Sequence, residues 1–201
     1  MAGRITVFVV DTGPLITLAA ARSLDYLLYV EGTAVVIPDA VLYEATHDAS
    51  RLGAPDILSW VKAHRDRIEI APTNAYVVFD AARQTDPNIR QVNLGEQAAV
   101  EVIEEPGRLR PEERGILLCE ESAVLRRIVV REKDRIIELS TMDFLRLLEA
   151  EGRIQSADAV FQMAVEGGRS PSNVQHLTRQ SDELRATIAG LVQPRRTSTS
   201  Q

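Results

Sequence analysis

Residues 7–16 read Val-Phe-Val-Val-Asp-Thr-Gly-Pro-Leu-Ile, and the predicted fold is inferred first from this segment. Its four leading apolar residues predict a buried strand, because a strand that is covered on both faces is apolar throughout instead of alternating. Thr12-Gly13-Pro14 then turns the chain into a helix, with Pro14 in the first turn, where its missing N–H costs nothing. Asp11 is therefore expected at the carboxyl end of a buried strand, directly before a helix.

The alternation of strand and helix continues along the chain. Apolar runs predict strands at residues 5–10, 34–37, 68–70, 116–119 and 135–139. Helical periodicity predicts further helices at 39–46, 56–64, 74–83, 96–105, 122–131, 141–150 and 157–165, and the polar segment 106–115 is predicted to be a loop. Strands that alternate with helices are typical of an α/β fold whose mostly parallel sheet is covered on both faces.

The last part of the chain differs in pattern from the rest. Gly167-Gly168 closes the compact body, so residues 1–168 are predicted to form one domain and residues 169–201 an extension. An apolar stripe predicts an amphipathic helix over about 172–191, and the Arg-, Thr- and Ser-rich tail after it is predicted to be disordered. The stripe would pack on its own domain or, in a homodimer, on a second copy of the chain, and packing on its own domain is the default.

Composition excludes several classes of protein. The net charge of −6 argues against a protein that coats nucleic acid, but not against an enzyme that cuts it, since a metal-binding crevice is acidic. A single cysteine, Cys119, excludes an intramolecular disulfide and a multi-cysteine zinc site, and is expected to act as a small buried hydrophobe. No signal peptide and no apolar run of the ~20 residues that span a bilayer is recognisable, so a soluble, cytoplasmic protein without a membrane partner is expected.

Acidic residues stand where a parallel sheet would gather them. Asp11 follows the first strand, Glu120 and Glu121 follow the fourth, and Glu44 and Glu96 lie on predicted helices. Carboxylates at the carboxyl ends of buried strands face the crevice in which open α/β folds bind ligands. Several carboxylates in one crevice repel each other unless they share a cation, and Mg²⁺ and Mn²⁺ prefer such oxygen ligands.

Each acid also has a simpler interpretation. Asp11 could be a helix N-cap, Glu44 a solvated surface residue, and Glu96 or the Glu120-Glu121 pair a partner of a helix dipole. The metal-site hypothesis therefore depends on all of them being placed compatibly in one chain.

Three other chemistries of α/β proteins fit the same residues poorly. A haloacid-dehalogenase-type phosphatase needs a second aspartate two residues after the nucleophile, where this chain has Gly13. A phosphoacceptor receiver domain needs a lysine near the end of a late strand, and neither Lys62 nor Lys133 fits that position convincingly. A nucleotide-binding protein needs a glycine-rich loop after the first strand, and residues 11–14 are not such a loop.

The segments 9–16, 37–44 and 94–99 resemble the first three acidic motifs of PIN-domain nucleases, in the order of that family. The D-T-G-P-L-I run is similar to a subgroup that includes toxin-like ribonucleases of the bacterial VapC type. The resemblance covers about residues 5–165 at the level of motif order and predicted elements. It implies a three-layer α/β/α fold with a short parallel sheet in the order 3-2-1-4-5. It also implies hydrolysis of phosphodiester bonds, usually in RNA, with Mg²⁺ or Mn²⁺ as the cofactor.

The resemblance also implies roles for particular residues. Asp11, Glu44 and Glu96 match the first three acids of the family, and the fourth falls on Glu120-Glu121. Asp11 and Glu96 would hold metal, and Glu44 would bind it directly or through water. Glu120 or Glu121 would hold a second metal or orient the attacking water. All five acids are candidate catalytic residues.

Other residues would support this site or bind the substrate. Thr12 would orient a carboxylate, and Arg126, Arg127 and Arg131 would meet substrate phosphates unless they form a solvated helix face. A toxin-like protein would have an antitoxin protein as a partner.

The fourth acidic position departs from the family pattern. The family usually has aspartate there, whereas Glu120 and Glu121 keep the charge on a side chain that is one methylene longer. Because metal sites depend on close geometry, the alternative function is a catalytically weakened or inactive module that binds nucleic acid or protein.

Overall fold

The computed structural model of the chain describes residues 4–30, 32–90, 92–120 and 135–170. Five strands in this part of the chain form one sheet in the order β3-β2-β1-β4-β5, and every pairing in it is parallel. The strands are β1 (Arg4–Val10), β2 (Ala34–Pro38), β3 (Ile68–Ala71), β4 (Glu113–Leu118) and β5 (Ile136–Leu139).

Helices occupy most of the remaining described residues. They are α1 (Thr12–Ala20), α2 (Asp39–Thr46), α3 (Ala54–Ala63), α4 (Asn74–Thr85), α5 (Leu94–Ile103), α6 (Thr141–Ala150) and α7 (Ala157–Glu166), and Leu24–Tyr29 is a 3₁₀ helix. Within the described ranges, no helix combines the length and the apolar character that a bilayer span requires. The predicted α/β fold with sheet order 3-2-1-4-5 is confirmed.

Alternate residues of β1 belong to two separate hydrophobic clusters. Phe8 and Val10 pack on one face of the sheet with apolar side chains of α1, α3, α6 and α7. Val7 and Val9 pack on the other face, mainly with side chains of α5, and Cys119 belongs to this second cluster. The sheet is thus the middle of three layers, which is why its central strands β1, β2 and β4 are largely apolar on both faces.

The order of the sheet reverses between β1 and β4. β1 pairs with β2 on one side and with β4 on the other, and the backbone N–H of Asp11 donates to the Leu118 carbonyl at 2.9 Å. Neighbouring connections leave the sheet in opposite directions at such a point and open a crevice at the carboxyl ends of the strands. The fold therefore places the residues after β1 and β4 side by side.

Several predicted boundaries need correction. The predicted loop at 106–115 is wrong at its end, because β4 begins at Glu113, where the ladder pairs Arg4 with Glu113 and carries charged residues into the sheet. α5 begins at Leu94, two residues earlier than predicted, since Asn93 adopts a left-handed conformation (φ 63°) from which the helix starts. The predicted helix at 122–131 and nearly all of the predicted extension, beyond Arg169 and Ser170, lie outside the described residues.

Candidate functional site

A pocket of about 260 Å³ opens at the carboxyl edge of the sheet where the strand order reverses. Asp11 follows β1, Glu44 lies on α2, Glu96 lies on α5, and Glu120 comes two residues after β4. The complete lining is Asp11, Thr12, Gly13, Glu44, Asn93, Glu96, Glu120 and Arg169. The structure thus brings together four of the five acids that the sequence singled out, from four separate elements.

The pKa of Asp11 is strongly affected by its surroundings in this pocket. Its carboxyl is largely buried, and burial is the main cause of a rise in its pKa from 3.8 to about 7. A hydrogen bond from the Thr12 backbone N–H opposes this rise, and the carboxylates of Glu44, Glu96 and Glu120 contribute to it. Ionised Asp11 is therefore destabilised by its surroundings, and a bound cation would relieve that effect.

Glu44 is held by two neutral donors. The Thr12 hydroxyl donates to its Oε2 at 2.9 Å, and the Gly95 backbone N–H donates to its Oε1 at 3.2 Å. Gly95 lies in the first turn of α5, so the Glu44 carboxylate satisfies one of the N–H groups that a helix leaves unpaired at its start. A Cβ at residue 95 would stand 2.6 Å from Glu44 Oε2, which means that only glycine permits this close approach.

Glu120 is bound by three donors, one of them charged. The Thr17 and Thr141 hydroxyls donate to its Oε1 at 2.5 and 3.1 Å, and Arg169 Nη2 donates to its Oε2 at 2.6 Å. Glu120 is only 7% exposed, and a Cβ at Gly13 would lie 2.9 Å from its Oε2. Close packing and hydrogen bonds therefore fix this carboxylate against α1.

Glu96 and Asn93 complete the wall that α5 contributes to the pocket. Glu96 is partly buried in the first turn of the helix, where a negative charge is favourable. Asn93 stands before that turn in a left-handed conformation that asparagine tolerates better than most residues. The start of α5 thus aims both Glu96 and the Gly95 N–H at the pocket.

The residues of the pocket fit a hard divalent cation in the chemistry of their donors. Four carboxylates offer oxygen ligands, and a bound cation would stabilise the ionised carboxylate of Asp11. Their arrangement is not that of a finished metal cage: within the described ranges, no three His, Cys, Asp or Glu side chains are grouped closely enough to hold an ion as they stand. The hydrogen bonds of Glu44 and Glu120 account for part of this spacing, because they hold those carboxylates to protein donors.

Several residues of the site went unrecognised in the sequence. Thr141 follows β5 at the same edge as Asp11, so its position after a strand was a usable signal. Thr17 looked like part of an apolar helix face, and Arg169 lies in a glycine-rich turn 49 residues from its partner Glu120, so neither gave a local signal. The predicted site residues Glu121, Arg126, Arg127 and Arg131 lie outside the described residues.

Comparison with known families agrees with this geometry. The family model for DUF3368, described as a PIN domain, matches residues 7–108, from β1 to just beyond α5. The matched segment contains Asp11, Glu44 and Glu96 and ends before Glu120. A search of curated proteins finds no match to the chain. Because the matched segment covers just over half of the 201 residues, the chain belongs to the PIN-domain family, whose members are in general metal-dependent nucleases.

Proposed function

We propose that this chain is a Mg²⁺- or Mn²⁺-dependent endoribonuclease that hydrolyses phosphodiester bonds. The observation that carries the proposal is the meeting of four carboxylates from separate elements around one pocket, at the point where the sheet order reverses. Open α/β sheets bind their ligands at such points. The raised pKa of Asp11 supports the proposal, because strongly shifted groups concentrate at functional sites.

The residues of the pocket would have different roles in metal binding and positioning. Asp11 and Glu96 would hold the cation, and Glu44 would bind it directly or through water. The cation would supply electrophilic stabilisation of the phosphodiester and an activated water. The Thr12 hydroxyl would keep the Glu44 carboxylate in one orientation, which is the usual role of a hydrogen-bonding partner behind a metal ligand.

RNA is proposed as the substrate because the D-T-G-P-L-I run resembles that of toxin-like ribonucleases of the VapC type. On the same ground, the chain would act in the cytoplasm as the toxin of a toxin–antitoxin pair. Its antitoxin would be a protein that covers the acidic pocket. The nuclease domain would comprise residues 1–168, with 169–201 as an extension.

A metal-titrated cleavage assay tests the proposed activity. Metal-stripped protein is incubated with end-labelled single-stranded RNA over a series of Mn²⁺ and Mg²⁺ concentrations, in parallel with DNA of the same sequence. We expect metal-dependent cleavage of the RNA that falls on the order of 100-fold or more in Asp11→Asn and in Glu96→Gln. Asp66→Asn, in an exposed turn between α3 and β3, is the matched control and should cleave like the wild type.

The assay also separates the enzyme from the alternative function. If the wild type and Asp11→Asn show the same low background cleavage, with or without metal, the nuclease proposal is refuted. Retention of RNA in a gel-shift experiment, without cleavage, would then favour a binding module on the same fold. Cleavage of DNA in preference to RNA would keep the nuclease and reject the proposed substrate.

A further inference from the structure

Glu120 differs from Glu44 in how completely its carboxylate is occupied. Its Oε1 accepts hydrogen bonds from Thr17 and Thr141, and its Oε2 accepts one from Arg169. A carboxylate has about four acceptor sites, so three of them are filled by protein donors. Glu120 therefore has about one acceptor site left for a metal ion, and that site is on Oε2, the oxygen that the Arg169 guanidinium already contacts.

Arg169 is a partly buried cation inside the acidic pocket. Its side chain is 15% exposed, and besides its bond to Glu120 it donates from Nε to Thr17 Oγ1 at 2.9 Å. Its backbone N–H donates to the Ala164 carbonyl at the end of α7, which anchors the residue where the chain leaves that helix. Buried ion pairs persist when both partners have further hydrogen bonds, as both partners do here.

Glu44 shows the contrasting arrangement. Its two carboxylate oxygens accept from neutral donors, the Thr12 hydroxyl and the Gly95 N–H, with one such bond to each oxygen. That leaves acceptor capacity on both oxygens for a cation. The pocket is therefore asymmetric, with a protein cation on the Glu120 side.

We propose that Arg169 takes the position of a second cation beside Glu120, so that the site binds one divalent ion instead of two. Asp11 and Glu96 would then hold that ion, with Glu44 binding it directly or through water. Arg169 excludes a second ion in two ways, because it occupies the carboxylate and because like charges repel at short range. This inference rests on the proposed function, since it specifies how the nuclease site uses its acids.

Counting bound Mn²⁺ tests the inference without reliance on activity. Metal-stripped protein is titrated with Mn²⁺ alone, and the free ion is quantified by electron paramagnetic resonance or the binding heat by calorimetry. We expect one Mn²⁺ per chain for the wild type. In Arg169→Gln we expect either a second Mn²⁺ or binding of the first that is tighter by at least about tenfold, because a positive charge has left the pocket.

Two further variants keep the test decisive if the single substitution disturbs folding. The double variant Glu120→Gln/Arg169→Gln removes both charges together and should bind one Mn²⁺ with an affinity within about threefold of that of the wild type. Substitution of a residue that binds the metal would weaken Mn²⁺ binding by more than this. Arg108→Gln is the matched control. Arg108 is 16% exposed and paired with Glu69 and Glu105 at the opposite edge of the sheet, so its loss should leave Mn²⁺ binding unchanged.

The outcomes distinguish this inference from the proposed function. Two Mn²⁺ per wild-type chain, in a protein that cleaves RNA, would overturn the inference and leave the nuclease intact. Unchanged binding in Arg169→Gln, or a loss of tenfold or more in the double variant, would also overturn it, because Glu120 would then behave as a ligand. Absence of any Mn²⁺ binding in the wild type would overturn both.

Discussion

The substitution Asp11→Asn should make the metal-free protein more stable. Burial and three neighbouring carboxylates raise the pKa of Asp11 from 3.8 to about 7, so ionising this residue in the folded state carries a free-energy cost. At about 1.4 kcal/mol for each pKa unit, the upper limit of that cost is roughly 4 kcal/mol. Asparagine keeps the size of the side chain without the charge, and because its amide replaces some hydrogen bonds imperfectly, we expect a gain of about 1–3 kcal/mol.

The pH dependence of this gain has a defined sign. Between the unfolded pKa of 3.8 and the folded pKa of about 7, folded Asp11 holds a proton that the unfolded chain has released. Wild-type stability therefore falls as pH rises through this window, and the cost is complete above it. Near pH 4 the Asn variant should have no advantage, because only its imperfect hydrogen bonds then separate it from the wild type. Its relative stability should rise up to about pH 7 and remain constant beyond.

Urea unfolding in EDTA, followed by circular dichroism at a series of pH values, measures the difference between the two proteins. Saturating Mn²⁺ should reverse the order, because it stabilises the wild type by mass action and not the variant. Asp66→Asn, at an exposed position, controls for the loss of a negative charge as such. A variant that is less stable than the wild type at pH 8 in EDTA, or an advantage that does not vary with pH, would refute the reasoning.

Three further substitutions have expected outcomes. Gly95→Ala places a Cβ 2.6 Å from Glu44 Oε2 and should weaken Mn²⁺ binding by roughly tenfold, with the melting temperature little changed; an unaltered affinity would contradict this. Thr12→Val removes the hydroxyl that holds Glu44 and should lower metal affinity by about 10- to 100-fold in the same titration. Phe8→Ala empties a fully buried position whose ring lies 5.4 Å from that of Phe144, and should cost about 3–5 kcal/mol in urea unfolding; a cost under about 1 kcal/mol would contradict the packing described here.

The fold was predictable because its signals are local. The apolar runs of β1, β2 and β4 correspond to strands that are largely buried on both faces. Pro38 ends β2 and leads into α2 as its fixed φ angle predicts. The boundary of β4 was not predictable in the same way. Glu113 and Arg114 are charged, and only their pairing with β1 draws them into the sheet, which is an interaction between residues more than 100 positions apart.

The site was predictable in part for a related reason. Asp11 and Glu120 follow strands, and the end of a parallel strand has a fixed place in the fold, so their meeting follows from the order of the sheet. Glu44 and Glu96 lie on helices, and the family resemblance identified them. The contacts of Arg169 and Thr17 with Glu120 depend on how the end of α7 packs on α1, which no local pattern encodes. The roles proposed for the acids remain predictions until metal binding is measured.

The distribution of hydrogen bonds in the pocket implies an order among its acids. Glu120 has a protein cation and two hydroxyls, and Glu44 has two neutral donors, whereas burial raises the pKa of Asp11 to about 7. A cation that enters the pocket therefore gains more from Asp11 than from Glu44, because burial destabilises the charge of Asp11 while protein donors already bind the carboxylate of Glu44. Loss of Mn²⁺ affinity should accordingly be greater for Asp11→Asn than for Glu44→Gln, and calorimetric titration of the two variants would expose the opposite order. Such an order would mean that burial of Asp11 serves packing at the strand end rather than metal binding.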